Sequence, residues 1–202
     1  NLFRSYLQYN QISKYYPSSE GYTFIKKEGN FIKHFNEKRI KDFVLSDLDQ
    51  RGETEAWNMC AKNLITFSPA FLGSLNTSDL EIQKDNKTES FIYYRNTAVK
   101  VTKNNFELIP YNELGGLVWE DQVINRDLIL QPESDGEFKT FVWKVANEDK
   151  DRYYTLKSVL GYLLHSYQNE GKPKVIIFND EMISDAPNGG RGKGLLHKAI
   201  SF

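Results

Sequence analysis

The chain has 202 residues with nearly balanced charge, 26 Lys and Arg against 27 Asp and Glu, and 40% hydrophobic residues. That is the composition of an ordinary globular protein with a real core, in one domain or two small ones, and it argues against the strongly basic surface of a dedicated nucleic-acid coat while leaving a local basic face open. The lone Cys60 allows neither an intramolecular disulfide nor a CxxC metal site, so a reducing, cytoplasmic setting is expected, and no leader or apolar run of ~18 residues marks export or a membrane span. Asn1 stands where a Met would begin a nascent chain, and a processed or excised piece is expected.

The predicted elements make an α+β protein. In GYTFIKKEGNFIKHF, Tyr22, Phe24 and Lys26 alternate along one extended run and Phe31, Lys33 and Phe35 along the next, with Glu28-Gly29-Asn30 between them, which reads as a hairpin. Asn36 is then an N-cap, and Ile40, Phe43, Val44 and Leu48 recur at helical spacing up to Gly52. A second helix is expected from Thr54 to Leu64, closed by Ser68-Pro69. SFIYYRNTAVKVTKNNFELIPY holds three β-rich runs separated by Arg95-Asn96 and Asn104-Asn105, an antiparallel meander. GGLVWEDQVINRDL reads as a connecting loop with a short element, and FVWKV as a brief apolar run.

From Asp149 the spacing of Leu156, Val159, Leu160, Leu163, Leu164 and Tyr167 gives one apolar helix face, ended by Gly171 and Pro173. KVIIF, residues 174–178, reads as a short buried strand. The organisation expected is a hairpin-helix and helical region over 1–80, a β-rich linker over 81–148, and over 149–202 a helix followed by a truncated strand, loop and helix.

The loop carries the chemistry. Gly189, Gly190 and Gly192 let backbone N–H groups turn toward an anion, Lys193 adds a point charge, and Leu195, Leu196, Ala199 and Ile200 continue at helical spacing, so that the helix dipole also points at the anion. Strand, glycine loop and helix are the context a phosphate-binding loop requires. Against G-x-x-x-x-G-K-[ST], Pro187 occupies the first glycine position and Gly194 the position of the hydroxyl that ligates magnesium. The competing reading is a glycine-rich surface turn with a solvated lysine.

Three stretches, FIYYRNTAVKVTKNNFELIPYNELGGLVWEDQVINRD, YYTLKSVLGYLLHSY and VIIFNDEMISDAPNGGRGKGLLHKAI, carry a resemblance to the phage and mobile-element primase-helicases of superfamily 3, in the AAA+ class. The resemblance covers most of the chain and is most specific from Phe91 to Ile200. It implies a pre-motor region joined to the start of an ATPase core, within a DNA motor that is generally hexameric and translocates on single-stranded DNA with ATP and Mg²⁺. The nucleotide site it implies is Asn188, Gly189, Gly190, Arg191, Gly192, Lys193 and Gly194, the glycines cradling phosphates and Lys193 serving catalysis at the β- and γ-phosphates. Few residues follow Lys193, so the acidic second strand and arginine finger that hydrolysis needs are expected elsewhere, and the piece alone is expected to be inactive.

For DNA, Lys26, Lys27 and Lys33 on the hairpin and Lys38 and Arg39 at the start of the following helix offer a basic patch interleaved with aromatics, against the reading of a solvated amphipathic hairpin. Asp180 and Glu181, just past the KVIIF strand, are placed near the nucleotide, whereas Glu120 and Asp121 read as solvated loop charges. His34, His165 and His197 are too scattered for a shared metal, and Cys60 beside Trp57 and Met59 reads as a small buried hydrophobe. Two further functions stay open: a non-catalytic DNA-binding or oligomer-assembly module with a vestigial glycine loop, and, last, a small P-loop phosphotransferase.

Overall fold

The computed structural model describes residues 2–130, 136–169, 171, 174–178 and 192–200. They form an α+β protein with seven α-helices and two four-stranded sheets among the described residues. The chain divides into two compact units, Asn1–Gln83 with Tyr111–Val123, and Lys84–Pro110 with Ile124–Phe202. The segment 81–148 contributes to both. No described helix is long and apolar enough to cross a membrane.

In the first unit, α1 (Leu2–Tyr9) leads into β1 (Ile12–Ser18), β2 (Gly21–Glu28) and β3 (Phe31–His34). The hairpin between β2 and β3 turns where Gly29 takes φ +59°, a conformation that costs a residue without Cβ little. Ile25 pairs with His34, Lys26 with Lys33, Lys27 with Ile32 and Glu28 with Phe31, so Lys26, Glu28, Phe31 and Lys33 share one face of the sheet and Ile25, Lys27, Ile32 and His34 the other. Neither α1 nor β1 is among the elements expected from sequence; β1 pairs antiparallel with β2 from Ile12 opposite Lys26 to Tyr15 opposite Thr23, and the register shifts around Pro17 before Ser18 meets Gly21.

The Asn36 cap is formed: its side-chain oxygen accepts the Arg39 N–H at 2.9 Å, opening α2 (Glu37–Gln50). Ile40, Val44 and Leu48 then face Leu7, Ile12 and Phe24 in the core. α3 (Thr54–Lys62) ends before a 3₁₀ turn, Leu64–Phe67. Ser68-Pro69 does not simply stop a helix. The Ser68 hydroxyl accepts from Phe71 N–H and starts α4 (Pro69–Leu72), with Pro69 in the first turn where its missing N–H costs nothing. Cys60 packs against this core, and burial pushes its thiol pKa up.

The expected meander is present in the second unit as β4 (Glu89–Tyr94), β5 (Thr97–Thr102) and β6 (Phe106–Ile109). Its first turn is a grip: Arg95 makes a bidentate pair with Asp127 at 2.8 and 3.0 Å, and the Asn96 amide both donates to Leu128 C=O and accepts from Leu128 N–H. GGLVWEDQVINRDL supplies β7 (Val118–Trp119), parallel to β3, and β8 (Val123–Ile124), beside β4.

FVWKV is not an isolated apolar run but the second half of α5 (Glu137–Val145). The window is too short for periodicity to separate a strand from a helix, and packing decides. α6 (Lys150–Leu164) opens at the Asp149 carboxylate, which accepts from Arg152 N–H at 2.8 Å. Leu160 alone of its expected apolar face is buried; Leu163 and Leu164 are exposed. Asp85 fastens the end of this helix to the sheet, accepting from Phe91 N–H, the Ser90 hydroxyl and Ser166 N–H within 2.9 Å.

Candidate nucleotide and nucleic-acid sites

The glycine loop is described only at its end. Asn188, Gly189, Gly190 and Arg191 lie outside the described residues, as do Asp180 and Glu181. Gly192 takes φ +86°, and directly after it α7 (Lys193–Ile200) begins. The Gly192 C=O accepts the Leu196 N–H at 2.9 Å, the first bond of that helix. The N–H groups of Lys193, Gly194 and Leu195 therefore precede any intrahelical acceptor, which is the arrangement an anion meets at a helix N-terminus. Lys193 is the first residue of the helix, and its side chain lies outside the described part of the structure.

Two glycines of the loop differ physically. A Cβ at Gly192 would sit 3.2 Å from Val145 Cγ2 and 3.3 Å from the Phe141 ring, so α7 comes close to α5 at this residue. A Cβ at Gly194 would meet nothing within 4 Å. Gly192 is fixed by backbone conformation and packing; Gly194 is not. Leu196 anchors the helix, buried with Val142 and Leu160.

The expected strand before the loop is not formed. Residues 174–178 run without a strand partner among the described residues, and Val175 and Ile177 are 84% and 82% exposed. The physical reason is alternation. Phe178 packs toward the cluster of Val142, Leu160 and Leu196, while Val175 and Ile177, on the alternate positions, have no strand beside them among the described residues.

The five cations proposed for DNA are not gathered on one face. Lys26 Nζ pairs with Glu28 at 2.6 Å and lies 4.1 Å from the centre of the Phe43 ring, leaving its side chain 15% exposed. Lys33 Nζ bridges Glu28 and Glu120, both at 2.8 Å. Two lysines and two carboxylates thus close a neutral network. The donated hydrogen bonds of Lys26 and then Lys33 hold the Glu28 carboxyl below its ordinary pKa, and those to Glu120 and then Glu28 raise Lys33. Glu120, read from sequence as a solvated loop charge, has a structural partner. Lys38 and Arg39 are exposed on the first turn of α2, Arg39 donating to His34 C=O at 3.0 Å.

Lys27 is different. It is exposed on the opposite face of the sheet and has no ion-pair partner among the described residues. On the same face His34 stacks on Trp119 with ring centres 4.2 Å apart and planes at 12°, and Tyr15 meets the other edge of that indole at 5.9 Å. No sequence signal paired these three rings. The contact depends on β7 running parallel to β3, a pairing between segments far apart in the chain.

No group of His, Cys, Asp or Glu side chains suited to a metal occurs among the described residues. Comparison of the chain with protein-family models, with curated proteins and with solved structures returned no match.

Proposed function

We propose that this chain is the pre-motor region and the opening of the ATPase core of a DNA helicase, of the kind that the primase-helicases of superfamily 3 exemplify. The observation that carries the reading is the junction at Gly192: a glycine in the left-handed region, followed at once by a helix whose first residue is lysine. Backbone N–H groups of Lys193 to Leu195 then serve phosphate oxygens, and the Lys193 ammonium the outer phosphates. Mg²⁺, bound with the nucleotide, supplies charge neutralisation between the phosphates.

In this reading Gly194 contributes no hydroxyl, so the ion would have to be held by water, phosphates and other residues. The open side of Val175 and Ile177 is where the neighbouring strands of such a core would lie, and those strands would bring the acidic and arginine groups of hydrolysis. Single-stranded DNA, a hexameric assembly and a cytoplasmic setting belong to the same proposal.

Calorimetric titration with a non-hydrolysable ATP analogue and Mg²⁺ tests it, on this chain and on a polypeptide continued through the remaining core strands, each with Lys193→Ala beside it. Binding by the longer polypeptide that Lys193→Ala abolishes supports the motor. Absence of binding by both would leave the loop a structural turn.

A further inference from the structure

One end of the sheet face that carries Lys27 is a recess of about 290 Å³, built wholly from the first unit. Gln8 and Gln11 at the α1–β1 junction, Ser13 on β1, Lys27 on β2, and Thr77 and Ser78 on the strand-like run beside β1 form its wall. That run is held in place by backbone bonds on both sides of Lys14: Lys14 N–H donates to Asn76 C=O and Ser78 N–H donates to Lys14 C=O.

The chemistry of this wall is one-sided. Among the described residues no acidic side chain lines it. Gln8 Nε2 is buried there without a hydrogen-bond partner among the described residues, which leaves its desolvation uncompensated. Asn76, also in the wall, has its side-chain oxygen engaged by the Arg4 guanidinium, which leaves the N–H₂ half of its amide as the free one and adds a second positive charge behind it. Ser78 donates to the Ser13 hydroxyl at 2.7 Å, so the Ser13 proton is available to another acceptor. Donors and positive charge converge on a place that offers little to a cation.

Gln11 adds an observation of a different kind. It takes φ +59°, ending α1 as its N–H donates to Gln8 C=O at 2.9 Å. Glycine is the residue that fits this helix-ending conformation most easily, and a glutamine held there is strained. Its side chain lines the recess directly opposite Lys27, whose N–H donates to Gln11 C=O at 3.0 Å.

Lys27 stands opposite Ile32 and diagonal to His34, and the fully buried Ile25 and Ile32 lie between the recess and the His34–Trp119 stack. From these features we propose that the recess binds a phosphate group, of a free nucleotide or of a single strand, with Lys27 as the counter-charge and the amides of Gln8, Gln11 and Asn76 and the hydroxyls of Ser13 and Thr77 as donors. The recess uses no residue of the glycine loop, and the proposal does not rest on the nucleotide reading of Lys193. It also separates Lys27 from Lys26 and Lys33, whose charges Glu28 and Glu120 already neutralise.

The test follows the side-chain amide signals of Gln8, Gln11 and Asn76 by ¹H–¹⁵N NMR during titration with inorganic phosphate, with deoxythymidine monophosphate and with a short deoxythymidine oligonucleotide. A Lys193→Ala background removes any contribution of the glycine loop. The proposal expects these signals to shift together, Lys27→Ala to weaken binding by about tenfold or more, and the salt dependence of oligonucleotide binding to fall by about one counterion. Gln11→Gly removes a donor while relieving the left-handed strain, so weaker binding by that variant cannot come from unfolding. Tighter binding of the oligonucleotide than of the monophosphate assigns the site to a single strand, and the reverse assigns it to a free nucleotide. Signals that stay still with all three probes, or affinities unchanged in both Lys27→Ala and Gln11→Gly, overturn the proposal.

Discussion

Replacing Gly192 by alanine tests the account of the glycine loop most directly. At φ +86° an L side chain bears roughly 1–2 kcal/mol of steric strain. The added Cβ also presses Val145 Cγ2 at 3.2 Å and the Phe141 ring at 3.3 Å, both tighter than ordinary contact, and such overpacking adds about 1–2 kcal/mol when the neighbours give way. The sum, about 2–4 kcal/mol, falls on the docking of α7 rather than on the whole molecule, because that helix is held by few buried groups, chiefly Leu196 against Val142 and Leu160. Native-state hydrogen exchange at the Leu196 amide, which bonds Gly192 C=O, reads this local opening, and exchange there should accelerate by roughly thirtyfold to several hundredfold. Gly194→Ala is the control. Its Cβ meets nothing, and a helical Gly→Ala change stabilises by up to about 1 kcal/mol, so Leu196 should exchange more slowly. Unchanged or slower exchange in Gly192→Ala would refute the argument that backbone conformation and the approach to α5 fix this glycine.

Gly194→Thr restores the hydroxyl of a phosphate-binding loop at a position with room for it, and should tighten Mg²⁺-dependent nucleotide binding in calorimetry with no loss of thermal stability. Tyr6 donates to Asp47 at 2.5 Å, and Tyr6→Phe should lower the urea midpoint by an amount worth about 1–2 kcal/mol, since Arg51 still satisfies Asp47. Burial and then Asp47 raise the pKa of Tyr6, so its contribution is present below the ordinary tyrosine value near 10 and fades as pH rises above it; the variant should lose that part of the alkaline sensitivity, leaving Tyr111, which burial alone pushes up to about 12. Glu28 has the opposite sign. Its carboxyl is held low by Lys26 and Lys33, so the stabilisation is complete above the ordinary value near 4.3 and is lost as pH falls through the depressed one, and Glu28→Gln should flatten the acid limb of a stability profile by about 0–1 kcal/mol, small because the pairs are partly exposed.

What could be read from the residues alone were the features whose causes are local. Asn36 and Asp149 cap the helices they precede, because a side-chain oxygen three residues before a free N–H needs no tertiary partner. Gly29 and Arg95-Asn96 turn the chain for equally local reasons, and the α+β class follows from those elements taken together. Ambiguity entered where the pattern was short. FVWKV became a helix through packing, and α1 and β1 are short, eight and seven residues, with Pro17 interrupting the run after Ile12.

Tertiary structure decided which charges are available. Alternation alone sets Lys27 on the strand face opposite Lys26, but only the β2–β3 register brings Lys26 and Lys33 together at Glu28, and only the parallel pairing of β7 adds Glu120. The recess beside Lys27 was likewise invisible, since Thr77 and Ser78 reach it only through bonds to Lys14 across the fold. The same holds for KVIIF: its apolar run predicts a strand, but a strand exists only where neighbours accept its backbone bonds, and among the described residues none does so, with Val175 and Ile177 exposed.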